Sequence, residues 1–222
     1  MSIDCNTYSY KQMMPEDYFR FDCSECGDCC RNVNGAVRVE SLDLYRLARF
    51  TGLEMSEACL QFTDTALLVP GFPILVLKTK QHMDACVFLK SSRCSVHSAK
   101  PRACRTYPLG VVPDDEKPGV WLNFIVSKTP HHFTGRHRRV GDWLDENLTA
   151  EDREFVAADC ANTEGIAKRM RDIDPRHDNR VAELLLFFKY IAYDMTEDFM
   201  PQYTRNMELL KEQLGRLIGA GA

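Results

Sequence analysis

The chain has 222 residues, of which 45% are hydrophobic and 27% charged, a composition that suits a globular fold. Its formal net charge of −4 argues against a general nucleic-acid binder, which would carry a basic surface. No run reaches the roughly eighteen apolar residues of a membrane span. The opening MSIDCNTYSYKQMMPEDYF lacks the basic start and apolar core of a secretion signal, so the cytoplasm is the expected compartment.

Residues 1–20 read as a lead-in, followed by FDCSECGDCCRN at 21–32. GAVRVE (35–40) alternates and is β-branched, which predicts a brief strand. Ser41 is placed to cap a helix through LDLYRLARF, with Leu44, Leu47 and Ala48 on its apolar face and Thr51-Gly52 as its stop. A second short helix is expected from Ser56 through Cys59 to Phe62. The apolar run Phe72 to Lys78 predicts a buried strand with ACVFL (85–89) as its neighbour. Pro101 is tolerated in the first turn of a short helix through SAKPRAC. VWLNFIV (120–126) reads as a further strand of a small sheet, three or four strands in all.

Beyond Pro130 the character becomes helical. Gly141 to Asn147 predicts a short helix, and TAED (149–152) is a capping box opening another. Leu184, Leu185, Phe188, Ile191, Ala192 and Met195 follow Val181 at helical spacing. Met207, Leu210, Leu214, Leu217 and Ile218 repeat it, and core packing explains both stripes. The expected fold is α+β. A lead-in (1–20) precedes a small sheet with a loop-borne cysteine cluster (21–145), packed against a helical C-terminal part (146–222) docked on the same domain.

Ten cysteines require an account. In a reducing compartment clustered thiols bind metal or do redox chemistry more often than they form lasting disulfides. Cys23, Cys26, Cys29 and Cys30 fall within eight positions, and the adjacent Cys29 and Cys30 would bridge only through a strained ring. Cys5, Cys59 and Cys160 read as packing residues or incidental thiols, since free cysteine behaves as a small hydrophobe. The early quartet differs, because Asp22, Ser24, Glu25, Gly27 and Asp28 surround it with polar, turn-forming residues. C-x2-C spacing lets two sulfurs converge on one ion, with turn N–H groups stabilising thiolate charge. The run Cys23-x2-Cys26-x2-Cys29 matches the start of a ferredoxin cluster loop but does not continue as x3-C-P.

A second set, Cys86, Cys94 and Cys104, follows with His97 at C-x2-H from Cys94. Seven thiols exceed the four ligands of one tetrahedral ion, so two ions, a polynuclear cluster or some non-ligating thiols are the alternatives. Arg31, Arg93, Lys100, Arg102 and Arg105 are placed to offset thiolate charge. RHRR (136–139) is basic, but so short a run in an acidic chain reads as a solvated face.

The linked motifs CSECGDCC and CVFLKSSRCSVHSAKPRACRTYPLG resemble the CxxCxxCC family, or YkgJ-type cysteine-cluster proteins, described as zinc- or iron-chelating. The likeness covers residues 20–145. It implies that Cys23, Cys26, Cys29, Cys30, Cys86, Cys94 and Cys104 are the metal-site cysteines. Relatives usually carry an eighth cysteine after the Y/F-P element, where this chain has TPHHFTG; His132, or His131, is the expected replacement. His97 stands where the family often has tyrosine, which counts against it as a ligand.

The resemblance implies a metal-binding protein holding zinc or iron, as single ions or as an iron–sulfur cluster, with the metal ion as its partner. It identifies no protein partner. A distant relative, the flagellin lysine methylase, suggests an alternative, an iron–sulfur enzyme using S-adenosylmethionine. The only G-x-G here, Gly219-Ala220-Gly221, opens no helix, and no nucleophile–base spacing is recognisable. A thiol redox protein or metal chaperone is the third reading, with labile metal and reducible bridges.

Overall fold

The computed structural model describes residues 11–31, 33, 37–69, 71–80, 83–114, 121–125 and 133–219. In chain order the strands are β1 (Lys11–Met13), β2 (Tyr18–Arg20), β3 (Arg38–Val39), β4 (Thr63–Val69) and β5 (Phe72–Leu77). Then come β6 (Leu89–Lys90), β7 (Arg93–Cys94), β8 (Leu109–Pro113), β9 (Trp121–Ile125) and β10 (His137–Arg139). The helices are α1 (Ser41–Thr51), α2 (Met55–Phe62), α3 (Arg102–Thr106) and α4 (Val140–Asn147). The C-terminal part adds α5 (Ala150–Met170), α6 (Asp178–Leu186) and α7 (Phe199–Gly219). The fold is mixed α+β with a helical C-terminal part. None of the described helices is long and apolar enough to cross a membrane.

Contacts divide the chain into two compact units, Met1–Asn34 with Thr79–Ala150 and Gly35–Lys78 with Glu151–Ala222. In the first, β1, β9 and β8 form an antiparallel sheet in that order, and β10 pairs with β2. Their inner faces share a core of Met13, Phe19, Phe21, Leu109, Val111 and Val140, closed by Trp143 and Leu144 of α4. Phe21 meets the Trp143 ring edge-on at 5.5 Å and Tyr107 at 5.8 Å. The Trp143 indole N–H donates to the Thr106 carbonyl at 3.0 Å, tying α4 to α3. Each buried aromatic contributes about 1.5–3 kcal/mol, and the core therefore anchors the residue just ahead of the first cysteines.

In the second unit, β3, β5 and β4 form an antiparallel sheet, with Gly71 at φ +77° joining the β4–β5 hairpin. α1 ends at Gly52, whose φ of +71° makes a left-handed cap. Its start differs from expectation. Glu40, not Ser41, is the cap residue, and Asp43 accepts the Glu40 N–H at 3.2 Å in a reciprocal capping box. α2 repeats the device with Glu54 and Glu57. Glutamate at a cap position escapes a reading tuned to short side chains.

The helix after Val181 runs as α6 and then widens into a π-turn over Phe187–Ile191. That turn carries Lys189, only 1% exposed. Its ammonium meets Asp159 of α5 at 2.7 Å, and Tyr203 of α7 donates to the same carboxylate oxygen at 2.8 Å. Arg38 stands 3.8 Å from the other oxygen. Burial opposes ionisation of Asp159, but Lys189, aided by Tyr203 and Arg38, outweighs it and holds the carboxyl below its ordinary value.

The expected pairing of ACVFL with the Phe72 strand does not form. β5 pairs with β3 and β4, while Ala85 and Cys86 make isolated bridges to Arg31 and Thr79. The reason is local. The Cys86 N–H is taken by the Cys30 carbonyl at 2.8 Å, and a turn then bonds Leu89 N–H to the Cys86 carbonyl at 3.0 Å. Among the described residues, four small sheets also replace the expected single sheet of three or four strands. Most of the added strands, such as β1, β2, β6 and β7, are too short to show alternation. Residues 120 and 126, at the ends of the expected third strand, lie outside the described residues.

Candidate metal centre

The loop that bears Cys23, Cys26, Cys29 and Cys30 is clamped at both ends. At its start, Phe21 is in the core and its N–H donates to the Arg136 carbonyl at 3.1 Å. The Asp22 carboxylate accepts from the Arg136 N–H at 2.8 Å and from its guanidinium at 3.1 Å. Gly135 makes this approach feasible, because a Cβ there would lie 2.3 Å from the Asp22 nitrogen. At the far end, Arg31 bridges to Ala85 and Cys30 bonds Cys86 through the backbone.

Between these clamps the chain turns tightly. Gly27 adopts φ +76° and leads into a turn of 3-10 helix over Asp28–Cys30, in which the Cys30 N–H bonds the Gly27 carbonyl at 3.0 Å. A Cβ on Gly27 would sit 2.5 Å from the Ser92 carbonyl oxygen and 2.7 Å from a Leu89 methyl carbon. The β6–β7 hairpin therefore lies directly against the cysteine loop. Its two-residue turn holds Ser91 at φ +46° and Ser92 at φ +62°, a conformation that asparagine and glycine adopt more readily. Arg31 secures the contact, donating to the Cys26 carbonyl at 3.2 Å, Asp28 at 2.8 Å and the Ser92 hydroxyl at 3.1 Å.

This packing gathers thiols from both segments. Cys30 is buried, with its Sγ 4.0 Å from Cys29 Sγ and its carbonyl accepting from the Cys86 N–H at 2.8 Å. Cys30 has one proton to share among three sulfurs. Its hydrogen bond lowers the Cys29 thiol to about 7 and the Cys94 thiol to about 6, and lowers Cys86 as well. Cys30 itself is pushed up, first by Cys29 and then by Cys86, Cys94 and burial. The Lys100 ammonium assists the ionisation of Cys29 and Cys94.

A second pair lies alongside. Cys23 Sγ is 3.9 Å from His97 Nε2, and the same nitrogen is 3.3 Å from Lys100 Nζ. Both Cys23 and His97 are exposed, so no apolar packing accounts for their meeting across 74 residues.

Cys26 and Cys104 belong to the same unit, each half-exposed, and the Cys104 N–H bonds the Pro101 carbonyl at 2.9 Å in the first turn of α3. Arg102 and Arg105, expected to offset thiolate charge, reach the carbonyls of Val111 at 3.2 Å and Asn147 at 2.8 Å. His131 and His132 lie outside the described residues, as does Cys5. Cys59 and Cys160 sit on α2 and α5 of the other unit.

The donor chemistry fits a soft or borderline cation. All nine described cysteines are free thiols. Among the described residues, no group of three or more His, Cys, Asp or Glu side chains stands where it could hold a metal ion. The sulfurs of Cys29 and Cys30 instead rest against one another. In a tetrahedral thiolate site of metal–sulfur length about 2.3 Å, neighbouring sulfurs stand about 3.8 Å apart. The 4.0 Å separation of Cys29 and Cys30 is close to that edge.

Residues 22–123 match the model of the CxxCxxCC family, described as "Putative zinc- or iron-chelating domain". No solved structure matches the chain. The matched segment contains the Cys23–Cys30 loop, the β6–β7 hairpin, His97 and Cys104. Over that segment, 102 of the 222 residues, the chain is similar to the CxxCxxCC family.

Proposed function

We propose that this chain binds zinc or iron as a single ion held by Cys29, Cys30, Cys86 and Cys94, with Cys23, Cys26, Cys104 and His132 as the further metal-site residues. The observation that carries the reading is the meeting of the two cysteine segments at the buried Cys30, whose sulfur lies 4.0 Å from that of Cys29 and whose carbonyl accepts from the N–H of Cys86, 56 residues on. The 4.0 Å between the Cys29 and Cys30 sulfurs favours one ion over an iron–sulfur cluster, whose thiolates bind different corners and stand further apart. The ion would replace the shared proton and offset part of the thiolate charge, adding folding free energy to a loop otherwise held by its clamps.

The test is anaerobic purification followed by metal and sulfide assay and a visible spectrum. Stoichiometric zinc, or iron without sulfide, supports the reading. A brown protein with acid-labile sulfide supports the iron–sulfur alternative and refutes the single-ion site. Protein that stays metal-free after incubation with zinc or ferrous iron refutes metal binding altogether.

A further inference from the structure

We infer that the first unit carries a binding site, built without cysteines, for a small aromatic oxyanion: a ring bearing one carboxylate or phosphate. The inference stands whether or not the metal reading above holds.

The site is a cavity of about 320 Å³ lined by residues of β1, β2, β9 and β10 together with Phe133. That volume is at the low end for small-molecule pockets and suits a single ring with its substituents. The lining has two characters. Met13 and Phe19 are buried and Ile125 and Phe133 half-buried, and these four offer apolar and aromatic surface. Tyr18, Arg20 and His137 are exposed and supply the polar side. Tyr18 leaves 63% of its surface in water, on a strand that buries the next residue, so its ring is available for stacking.

The polar side is a pair of donors. Arg20 and His137 are partners in the β2–β10 ladder, and the Arg20 Nε–H donates to His137 Nε2 at 2.9 Å. Nε2 is then the unprotonated nitrogen, so the neutral ring carries its proton on Nδ1 and has only a donor left to offer. The terminal nitrogens of the guanidinium also only donate. Among the described residues, no carboxylate lies within ion-pair reach of Arg20. Its neighbours on β10 and just before it are different: Arg136 is held by Asp22, Arg138 by Asp22 and Glu146, and Arg139 by Asp142. Arg20 thus keeps a positive charge and a planar fork beside an aromatic pocket. A guanidinium fork matches an oxyanion through two parallel N–H···O bonds, and one guanidinium balances one such group. A ring with a single oxyanion satisfies both sides of the cavity at once.

The experiment is a calorimetric titration of the reduced full chain with benzoate, phenylacetate and phenyl phosphate. Benzyl alcohol and acetate serve as the ring and the anion alone. Saturable binding is expected for at least one of the aromatic anions, with benzyl alcohol and acetate each weaker by about tenfold or more. The tighter of carboxylate and phosphate names the oxyanion. Arg20→Gln keeps a donor without the charge and should weaken that anion about 10–100-fold. Arg171→Gln, exposed on the other unit, should leave its affinity unchanged. Unchanged tryptophan fluorescence would show Arg20→Gln folded, since Trp143 meets Phe19 edge-on at 6.1 Å. In ¹⁵N-labelled wild type the same anion should shift the side-chain resonances of Arg20 and His137, a readout that needs no substitution. No saturable binding of any aromatic anion, equal affinity in Arg20→Gln and wild type, unmoved Arg20 and His137 resonances, or benzyl alcohol or acetate binding as tightly would each overturn the site while leaving the metal reading untouched.

Discussion

Replacing Gly27 by alanine tests whether the cysteine loop and the β6–β7 hairpin truly touch. Two costs are separable. A residue other than glycine at φ +76° loses about 1–2 kcal/mol from the left-handed conformation. The added methyl carbon would also lie 2.5 Å from the Ser92 carbonyl oxygen, which is backbone and cannot simply rotate away. Relieving such an overlap costs about 1–3 kcal/mol. The sum, about 2–5 kcal/mol, corresponds to a fall in Tm of roughly 4–20 °C for a chain of this size. Two further alanines calibrate it. Gly52 has φ +71° with nothing within 4 Å, so Gly52→Ala should carry the backbone cost alone, about 1–2 kcal/mol. Gly165, inside α5 with nothing within 4 Å, should gain about 0.5–1 kcal/mol as alanine. Both tryptophans, Trp121 and Trp143, belong to the first unit, so fluorescence follows Gly27→Ala while far-ultraviolet circular dichroism follows the other two. Zinc affinity of Gly27→Ala should fall about 10–100-fold, as for residues that support ligands without binding metal. If Gly27→Ala costs no more than Gly52→Ala, the close approach of loop and hairpin is wrong.

Four other substitutions probe three separate links. Cys30→Ser should abolish binding of the ion at the four-sulfur set, whereas Cys160→Ser on α5 should leave metal content and Tm unchanged; equal behaviour would refute the division of the cysteines. Ser91→Asn should stabilise the first unit by about 0.5–1 kcal/mol, since asparagine accepts the positive φ of that turn better than serine, and a lower Tm by fluorescence would refute the turn geometry. Lys189→Met leaves Asp159 buried without its main partner and should cost about 3–5 kcal/mol by circular dichroism. Its pH dependence has a definite sign. Asp159 titrates below the ordinary carboxylate value when folded, so its stabilisation is present above that value and is lost as pH falls through the lowered one. Without Lys189 burial dominates, the folded pKa rises, and acid unfolding should begin at higher pH; an unmoved acid midpoint would sink the argument.

How much of this was legible in the sequence differs by residue. The cysteine spacings pointed to metal chemistry, and the family match over residues 22–123 agrees with that reading. α1 was legible because Leu44, Leu47 and Ala48 mark one face and Gly52 a stop. β5 was legible because its apolar run is long enough to register. The glutamate caps of α1 and α2 were not, since their effect depends on a reciprocal bond to the third helical residue. Nor was β4, where Leu67 and Leu68 are exposed in succession and break the expected alternation. Lys189 looks solvent-facing in sequence, and only the π-turn and Asp159 across the fold explain its burial. The meeting of Cys23 with His97 was beyond reach for a similar reason. Spacing along the chain relates His97 to Cys94, and tertiary packing decides which thiol its Nε2 faces.

Both units are assembled from separated stretches of chain, and this sets an order of events during synthesis. Cys30 is made 56 residues before Cys86, an interval of several seconds at ordinary translation rates. Through that interval the first four thiols exist without the segment that receives them. The second unit waits longer still, until α7 supplies Tyr203 to Asp159. A nascent chain of this protein therefore emerges with its most oxidisable residues first and their shelter last, and its yield on expression should depend on how reducing the cell is during that gap.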